Sequence, residues 1–342
     1  MTASIAWHAD SYDHRLASIR YRLLAPLAAL QAAGVPIERY DPQRGPTGYG
    51  TIIFSKSQST EALGIARAAK ANGCRILYDL CDNLFAAHAV GHASAGRITR
   101  LCAMLGLADE AILSTPALLD QITAQLPDLA TPCRVIPDVV TLDADLAPTP
   151  NWRDRWELGR LNAFLRRNTG ALHCVWFGKS LGRVSGYVHL GRAVDMLARF
   201  PHPTTLTVIS NDRWKYMRAA SNWPIPCLYL PWRLSTHAAA LAKHRVAVIP
   251  VESNDYTTGK TMNRPALALL AGLGVVADPL PSYQELAPFV FLGNWTGGLE
   301  AYGQRNERAE AAIRAGQAYL RKNYSAAALA GRWKDALALT SA

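Results

Sequence analysis

The sequence predicts an α/β protein built from two tandem Rossmann-like, doubly wound domains. Three observations predict it. Short apolar runs alternate with helical stretches along the chain, which is the signature of βαβ units and a parallel sheet. The alternation breaks once near the middle and then restarts. The length, 342 residues, is long for one domain and right for two.

In the first half, strands are expected at 4–7, 37–40, 51–54, 75–78, 111–113 and 134–136. In the helical stretch 15–33, Leu16, Ile19, Leu23, Leu27 and Leu30 recur three or four apart and share one face. Gly34 is a natural stop. In the second half, strands are expected at 173–177, 206–209, 227–230, 246–249, 275–277 and 289–292. Between the halves, 141–167 holds a Pro-rich turn and then a charged helix from Trp152 to Arg167, read as a linker. Eight of the nine tryptophans follow residue 151, so the halves differ in composition. The expected organisation is an N-terminal domain over 1–150, a linker helix over 151–167, a second domain over 168–303 and helices over 304–342. Two such domains place their ligands outside the carboxyl ends of the strands.

Composition excludes several classes. Half of the residues are apolar, enough for two cores, but no apolar run reaches the length of a membrane-spanning helix. No secretion signal opens the sequence. None of the six cysteines forms a CxxC pair, and Cys74, Cys133, Cys174 and Cys227 fall in or beside strands, as reduced, buried thiols do. The expected compartment is the cytoplasm. The net charge of +10 is scattered, with no run of arginines longer than two. Its bland reading is a solvated surface; its functional reading is attraction to an anionic membrane face or a phosphorylated acceptor.

The most informative stretch is 246–283. A buried strand leads into a polar loop that delivers Lys260, Asn263 and Arg264 to the first turn of an apolar helix ending at Gly272. Backbone N–H groups and the helix dipole favour anions there, and two cations add full charges. Thr258, Gly259 and Thr261 suit a tight loop approached by a ligand. A triphosphatase loop is rejected. Its pattern needs glycine five residues before the Gly-Lys pair, and Asn254 and His173 occupy those places.

A second candidate, GKSLGRVSG at 178–186, follows the first strand of the second half. Gly178, Lys179, Ser180 and Arg183 there suit a diphosphate; a flexible turn is the bland alternative. Arg20 and Arg22 on the first helix do not share one helical face, so at most one is expected to reach a ligand. Asp79, Asp82 and Asn83 follow a strand. They suit sugar hydroxyls or a catalytic base, with helix capping as the alternative. His88 and His92 follow closely. Asp143-Ala144-Asp145 looks like a paired-aspartate metal site but has no neighbouring site elements, and no His/Cys cluster has zinc spacing. No metal is expected.

Several segments, in order, resemble the GT-B glycosyltransferases, on the retaining, family-4-like branch that builds surface polysaccharides and glycoconjugates. They are SIRYRLLAPLAALQAAG (18–34), YDLCDNLF (78–85), ILSTPALL (112–119), RVIPDVV (134–140), VWFGKS (175–180), VISND (208–212) and the stretch from Val246. The resemblance implies an acceptor on the first domain, a nucleotide-sugar donor mainly on the second and no obligatory metal or other cofactor. It also implies C-terminal helices that cross back onto the first domain. In that frame Lys260 and Arg264 neutralise the donor diphosphate, and Asp82 and His88 take part in catalysis. Gly178, Lys179, Ser180, Asn211, Glu252, Gly259, Asn263, Ser282 and Tyr283 line the donor. Arg20, Arg22, Asp79 and Asn83 meet the acceptor, a glycan or lipid-linked intermediate at the inner membrane face. One departure is plain. Many relatives carry two glutamates eight residues apart where Gly259 and Leu267 stand here, and Glu252 or Asp255 is left to supply a carboxylate. Two rival readings follow: glycosylation of modified DNA bases, and a non-catalytic scaffold that kept the fold.

Overall fold

The structure is a computed structural model that describes residues 5–142, 147–179 and 186–339. It divides into two compact units. Unit 1 comprises Met1–Val140, Thr258–Thr261 and Lys322–Ala342; unit 2 comprises Thr141–Thr257 and Met262–Arg321.

Unit 1 is a six-stranded sheet of β1 (Ile5–His8), β2 (Ile37–Arg39), β3 (Thr51–Ser55), β4 (Arg75–Leu80), β5 (Glu110–Leu113) and β6 (Cys133–Val135). The order is β2-β1-β3-β4-β5-β6, and every pairing is parallel. β1 and β5 are buried along their whole length, so apart from His8 at the end of β1 and Glu110 at the start of β5 they read as apolar runs rather than alternating ones. Side chains cap the crossover helices. Ser59 accepts from Ala62 N ahead of Thr60–Ala71, Asn83 from Ala86 N ahead of Leu84–Ala89, and Thr115 from Leu118 N ahead of Pro116–Gln125.

The first helix is not one continuous α-helix. It runs Ala17–Ile19, then a π-turn over Arg20–Leu24, then Ala25–Ala32. The Ala25 N–H reaches back five residues to the Arg20 carbonyl. Pro26 follows directly and has no N–H to continue the α ladder, so the register shifts by one. This changes the sequence-based geometry: both Arg20 and Arg22 turn inward, at 3% and 1% exposure. Gly34, with φ +76°, ends the helix where only glycine is unstrained.

The last helix, Ala326–Ala336, belongs to unit 1 and packs on Ala25–Ala32. Trp333 stacks on Trp7 with ring centroids 4.7 Å apart, and Ala330 and Ala336 join the same core as Ile5, Leu23 and Leu27. Arg75 Nη1 ties down the helix end through the Ala336 carbonyl at 2.8 Å. The C-terminal crossing is narrower than the span 304–342: most of the preceding helix, Glu307–Tyr324, lies in unit 2 up to Arg321.

Unit 2 is built from β7 (Leu172–Phe177), β8 (Thr204–Ser210), β9 (Cys227–Pro231), β10 (Val246–Ile249), β11 (Gly274–Ala277) and β12 (Phe291–Leu292). The order is β12-β11-β10-β7-β8-β9, again all parallel. The helix Trp152–Arg167, expected as a linker, is part of this unit. It packs on β9 and on the helix Leu234–Leu241. Its buried Asp154 accepts from Ser235 Oγ at 2.9 Å and pairs with Arg233 at 3.5 Å. All six cysteines are free thiols.

Candidate functional site

Each sheet has one point where the chain reverses its direction of winding, between β1 and β3 in unit 1 and between β7 and β10 in unit 2. Such points open a crevice at the strand carboxyl ends, because the loops leave toward opposite faces. Most of the candidate residues lie at these two edges.

In unit 1 the carboxyl ends of β3 and β4 carry a charged cluster. The register pairs Ser55 with Asp79, so the residues just beyond them face each other across the edge. Lys56 adopts φ 53°, a left-handed conformation rare for a side chain of this kind and kept where a site demands it. Its Nζ donates to Asp82 Oδ2 at 2.8 Å and to Ser18 Oγ at 3.2 Å. Lys260 Nζ donates to the other oxygen, Asp82 Oδ1. Asp82 is thus clasped by two ammonium groups, with side-chain exposures of 20% for Asp82, 27% for Lys56 and 26% for Lys260. Burial alone would raise the Asp82 carboxyl, but Lys260 and Lys56 outweigh it and hold the group below the usual carboxylate range. Lys56 was not among the sequence candidates. The signal available was a cation between two small polar residues, Ser55 and Ser57, directly after a buried strand.

Beneath this cluster, Arg22 and Asp79 do not meet a ligand. They are 1% and 0% exposed and form an ion pair. Arg22 Nη1 also donates to the Ile136 carbonyl and to Asp138 Oδ1 at 3.3 Å, while Asp79 Oδ2 accepts from Ser55 Oγ at 2.6 Å. Burial would lower the Arg22 pKa, but Asp79 and Asp138 raise it above its ordinary value. Arg20 donates to the His14 carbonyl at 2.7 Å. Asn83 is 3% exposed and caps a helix, the alternative the sequence had offered. These four acceptor candidates are therefore tied into the protein by their own bonds. His88 Nδ1 lies 2.6 Å from the Ala93 carbonyl and closes a turn of backbone.

Gly259 also has a different task from the expected one. Thr115 Oγ1 donates to its carbonyl at 3.1 Å. A Cβ there would sit 2.6 Å from Gln121 Oε1 and 3.3 Å from Leu118 Cδ1. The missing side chain lets the loop pack on the helix Pro116–Gln125.

In unit 2, Gly178 follows β7 and Glu252 follows β10, on the two sides of the reversal. The helix Asn263–Leu270 begins beside them with no side-chain cap from Met262, so its first N–H groups face an edge that favours anions. A Cβ at Gly178 would lie 3.0 Å from Trp176 Cζ2 and 3.8 Å from Arg264 Nη1, which places the guanidinium against this glycine. Three buried polar atoms in this neighbourhood have no hydrogen-bond partner among the described residues: Arg264 Nη1, Trp176 Nε1 and Tyr187 Oη. Trp176 and Tyr187 meet edge-to-face at 5.6 Å. A buried guanidinium N–H without an acceptor is costly. Ser210 Oγ donates to the Gly178 carbonyl at 2.9 Å, and Asn211 is exposed at the same edge.

A cavity of about 240 Å³ adjoins the β10 end, lined by Val188, His189, Arg192, Val251, Glu252 and Asp278. Asp278 is 2% exposed and holds this wall together through Val251 N at 3.0 Å, Trp295 Nε1 at 2.9 Å and Arg192 at 3.0 Å. A larger cavity, about 430 Å³, lies at the opposite edge, by Leu172 and Arg245, away from these residues. Tyr283 is 1% exposed in the 3-10 turn Pro281–Leu286, with its ring in the core, and Ser282 beside it is half-buried. Lys179 is exposed, and its carbonyl accepts from Tyr187 N at 3.3 Å. Ser180, Arg183, Asp143 and Asp145 lie outside the described residues. Among the described residues, no three His, Cys, Asp or Glu side chains gather closely enough to hold a metal, and no helix is long and apolar enough to cross a membrane.

Comparison with solved structures places this architecture. The Anabaena HepE structure in complex with UDP superposes with a TM-score of 0.63 at 16% identity, covering 98% of this chain and 100% of that one. The chain has the GT-B fold. A glycosyltransferase from Rickettsia africae gives 0.64 at 10% identity, covering 99% and 100%. An E. coli trehalose-6-phosphate protein bound with UDP-2-fluoro glucose gives 0.59 at 14% identity, covering 85% and 73%. No family model and no curated protein matches the sequence. At these identities the likeness speaks for fold alone, and the chemistry rests on the residues.

Proposed function

We propose that this chain is a glycosyltransferase that moves a sugar from a uridine diphosphate sugar to a glycan or lipid-linked acceptor, with retention and without a required metal. The observation that carries the reading is Arg264. Its buried N–H, without a hydrogen-bond partner among the described residues, lies against Gly178, at an uncapped helix N-terminus beside the winding reversal of unit 2. A diphosphate supplies the oxygen that this donor lacks. As the sugar–phosphate bond breaks, negative charge grows on the leaving phosphate, and a fixed guanidinium and helix N–H groups stabilise it without reorganising. That role is the one a metal ion plays in other transferases. The choice of uridine is supported by the HepE and E. coli structures, which hold UDP and a UDP-sugar.

In unit 1, a carboxylate held ionised by two ammonium groups is a weak base and a strong acceptor of hydroxyl hydrogen bonds. Asp82 therefore orients an acceptor hydroxyl rather than deprotonating it outright, and Lys56 joins Lys260 as a partner. A second reading, a non-catalytic binding subunit, draws on Gly259 and Leu267. Neither glycine nor leucine carries the carboxylate that many of the resembling enzymes have there. The test is thermal stabilisation by a panel of nucleoside diphosphates and nucleotide-sugars, in wild type and in Arg264→Ala. A uridine-selective rise that Arg264→Ala abolishes supports the donor site; no rise with any of the panel removes it.

A further inference from the structure

The outer side of unit 2 carries three indoles in solvent: Trp152 at 72% exposure, Trp156 at 59% and Trp214 at 74%, with Met217 at 47% beside the last. Large apolar side chains gathered on one surface mark an interaction site. Trp152 and Trp156 stand four residues apart on the helix Trp152–Arg167 and so share a face, while Asp154 and Leu161 turn inward. Trp214 and Met217 project from the helix Arg213–Ala220. Both helices pack on β9. Trp152 and Trp156, with Arg153 and Arg160 against their rings, form one face of the first helix.

That surface is basic. The two helices hold five and three cations against two acids. Of the acids, Asp154 is buried against Ser235 and Arg233, and Glu157 is paired with Arg160 at 2.6 Å. Arginines also sit on the indoles, with Arg153 5.1 Å from the Trp152 ring centre and Arg160 5.0 Å from that of Trp156. We propose that this face docks the protein on an anionic lipid bilayer. Indoles settle at headgroup depth, where one end is apolar and the other wet, and arginines meet the lipid phosphates. Charge selects this occupant over a second copy of the chain, since a two-fold contact would bring one basic face onto another. A single nucleic-acid strand needs a groove with ring faces open for stacking. Here two of the three rings are already covered by arginine, on the outer side of two helices. None of the candidate donor residues lies on these helices, so the outcome is independent of the donor assignment.

The test is co-sedimentation of the full chain with vesicles of phosphatidylcholine alone and of phosphatidylcholine with phosphatidylglycerol. Two variants are compared, Trp152→Ala/Trp156→Ala/Trp214→Ala and Arg153→Gln/Arg155→Gln. Wild type is expected to pellet only with the anionic vesicles, with affinity falling about tenfold or more in each variant and with added salt. Unchanged cooperative thermal unfolding of the ligand-free variants shows that they are folded. The proposal is overturned if wild type stays in the supernatant, pellets equally with neutral vesicles, or binds undiminished in the variants. It is overturned equally if the same variants lose DNA retention, or break a dimer seen by light scattering, while vesicles bind none of the proteins.

Discussion

Arg264 and Lys260 stand four residues apart, yet their substitution should move stability in opposite directions. Arg264→Met keeps the apolar stem and removes the guanidinium, whose Nη1 is buried with no partner among the described residues. A buried unsatisfied donor costs about 1–3 kcal/mol. Part of that is recovered on removal, so the ligand-free protein should gain roughly 1 kcal/mol, or about 2–4 °C in Tm for a unit of this size. The gain has a functional price. A charge-assisted hydrogen bond contributes about 1.5–3 kcal/mol, so UDP should bind roughly 10–150-fold more weakly. Lys260→Met instead strips a partner from Asp82 in a bridge that is only about a quarter exposed, and should destabilise the protein by roughly 1–3 kcal/mol. Differential scanning calorimetry without ligand reads both signs, and titration calorimetry with UDP reads the affinity. If Arg264→Met lowers the ligand-free Tm by several degrees, the guanidinium is a structural support and the reasoning fails.

Other expectations follow from the cores. Arg22→Met leaves the Asp79 carboxylate buried without its ion-pair partner and should cost about 3–5 kcal/mol in urea unfolding; Arg22→Met/Asp79→Leu should restore much of it. Trp333→Ala empties a fully buried site against Trp7 and should cost about 3–5 kcal/mol, with early loss of near-ultraviolet circular dichroism. His244 is buried between Thr207 Oγ1 and the Ala240 carbonyl, and burial pulls its pKa down to about 4. The unfolded chain then binds more protons between its own pKa, about 6.5, and the folded value. Stability should fall as pH drops through that window, by at most about 1.4 kcal/mol per pH unit from this group, and His244→Gln should flatten the slope. Asp82 acts lower down. Its carboxyl is depressed, so its contribution is complete above the unfolded value near 4 and is lost as pH falls below it; the Tm difference between wild type and Asp82→Asn should narrow there.

The sheets were legible because parallel strands covered on both faces read as short apolar runs, and every expected run became a strand. The first helix was not, because apolar spacing counts turns of 3.6 residues and is blind to the one-residue slip that Pro26 imposes. That slip buried both Arg20 and Arg22. The unit 1 cluster was half legible: Asp82 and Lys260 stand in recognisable segments, but Lys56 joins them only through the β3–β4 register and a left-handed backbone. What packs beside Gly259 was not legible, because the helix from Thr115 onward lies 144 residues away in sequence. Arg264 was legible as a cation at a helix start. Its unsatisfied N–H was not, since that depends on how Trp176 and Gly178 wall it in. Expectation fails where a residue's partner is remote in sequence, and there the nearest strand end is the better guide.

The central claim, transfer from a uridine diphosphate sugar, is tested most directly by measuring UDP released from a panel of UDP-sugars, with simple glycans or lipid-linked sugars as acceptors. The account predicts UDP release from one of these donors, faster with acceptor, and reduced at least about tenfold in Arg264→Met. No release from any donor, with UDP still bound, would contradict transfer and leave a binding protein with the GT-B fold.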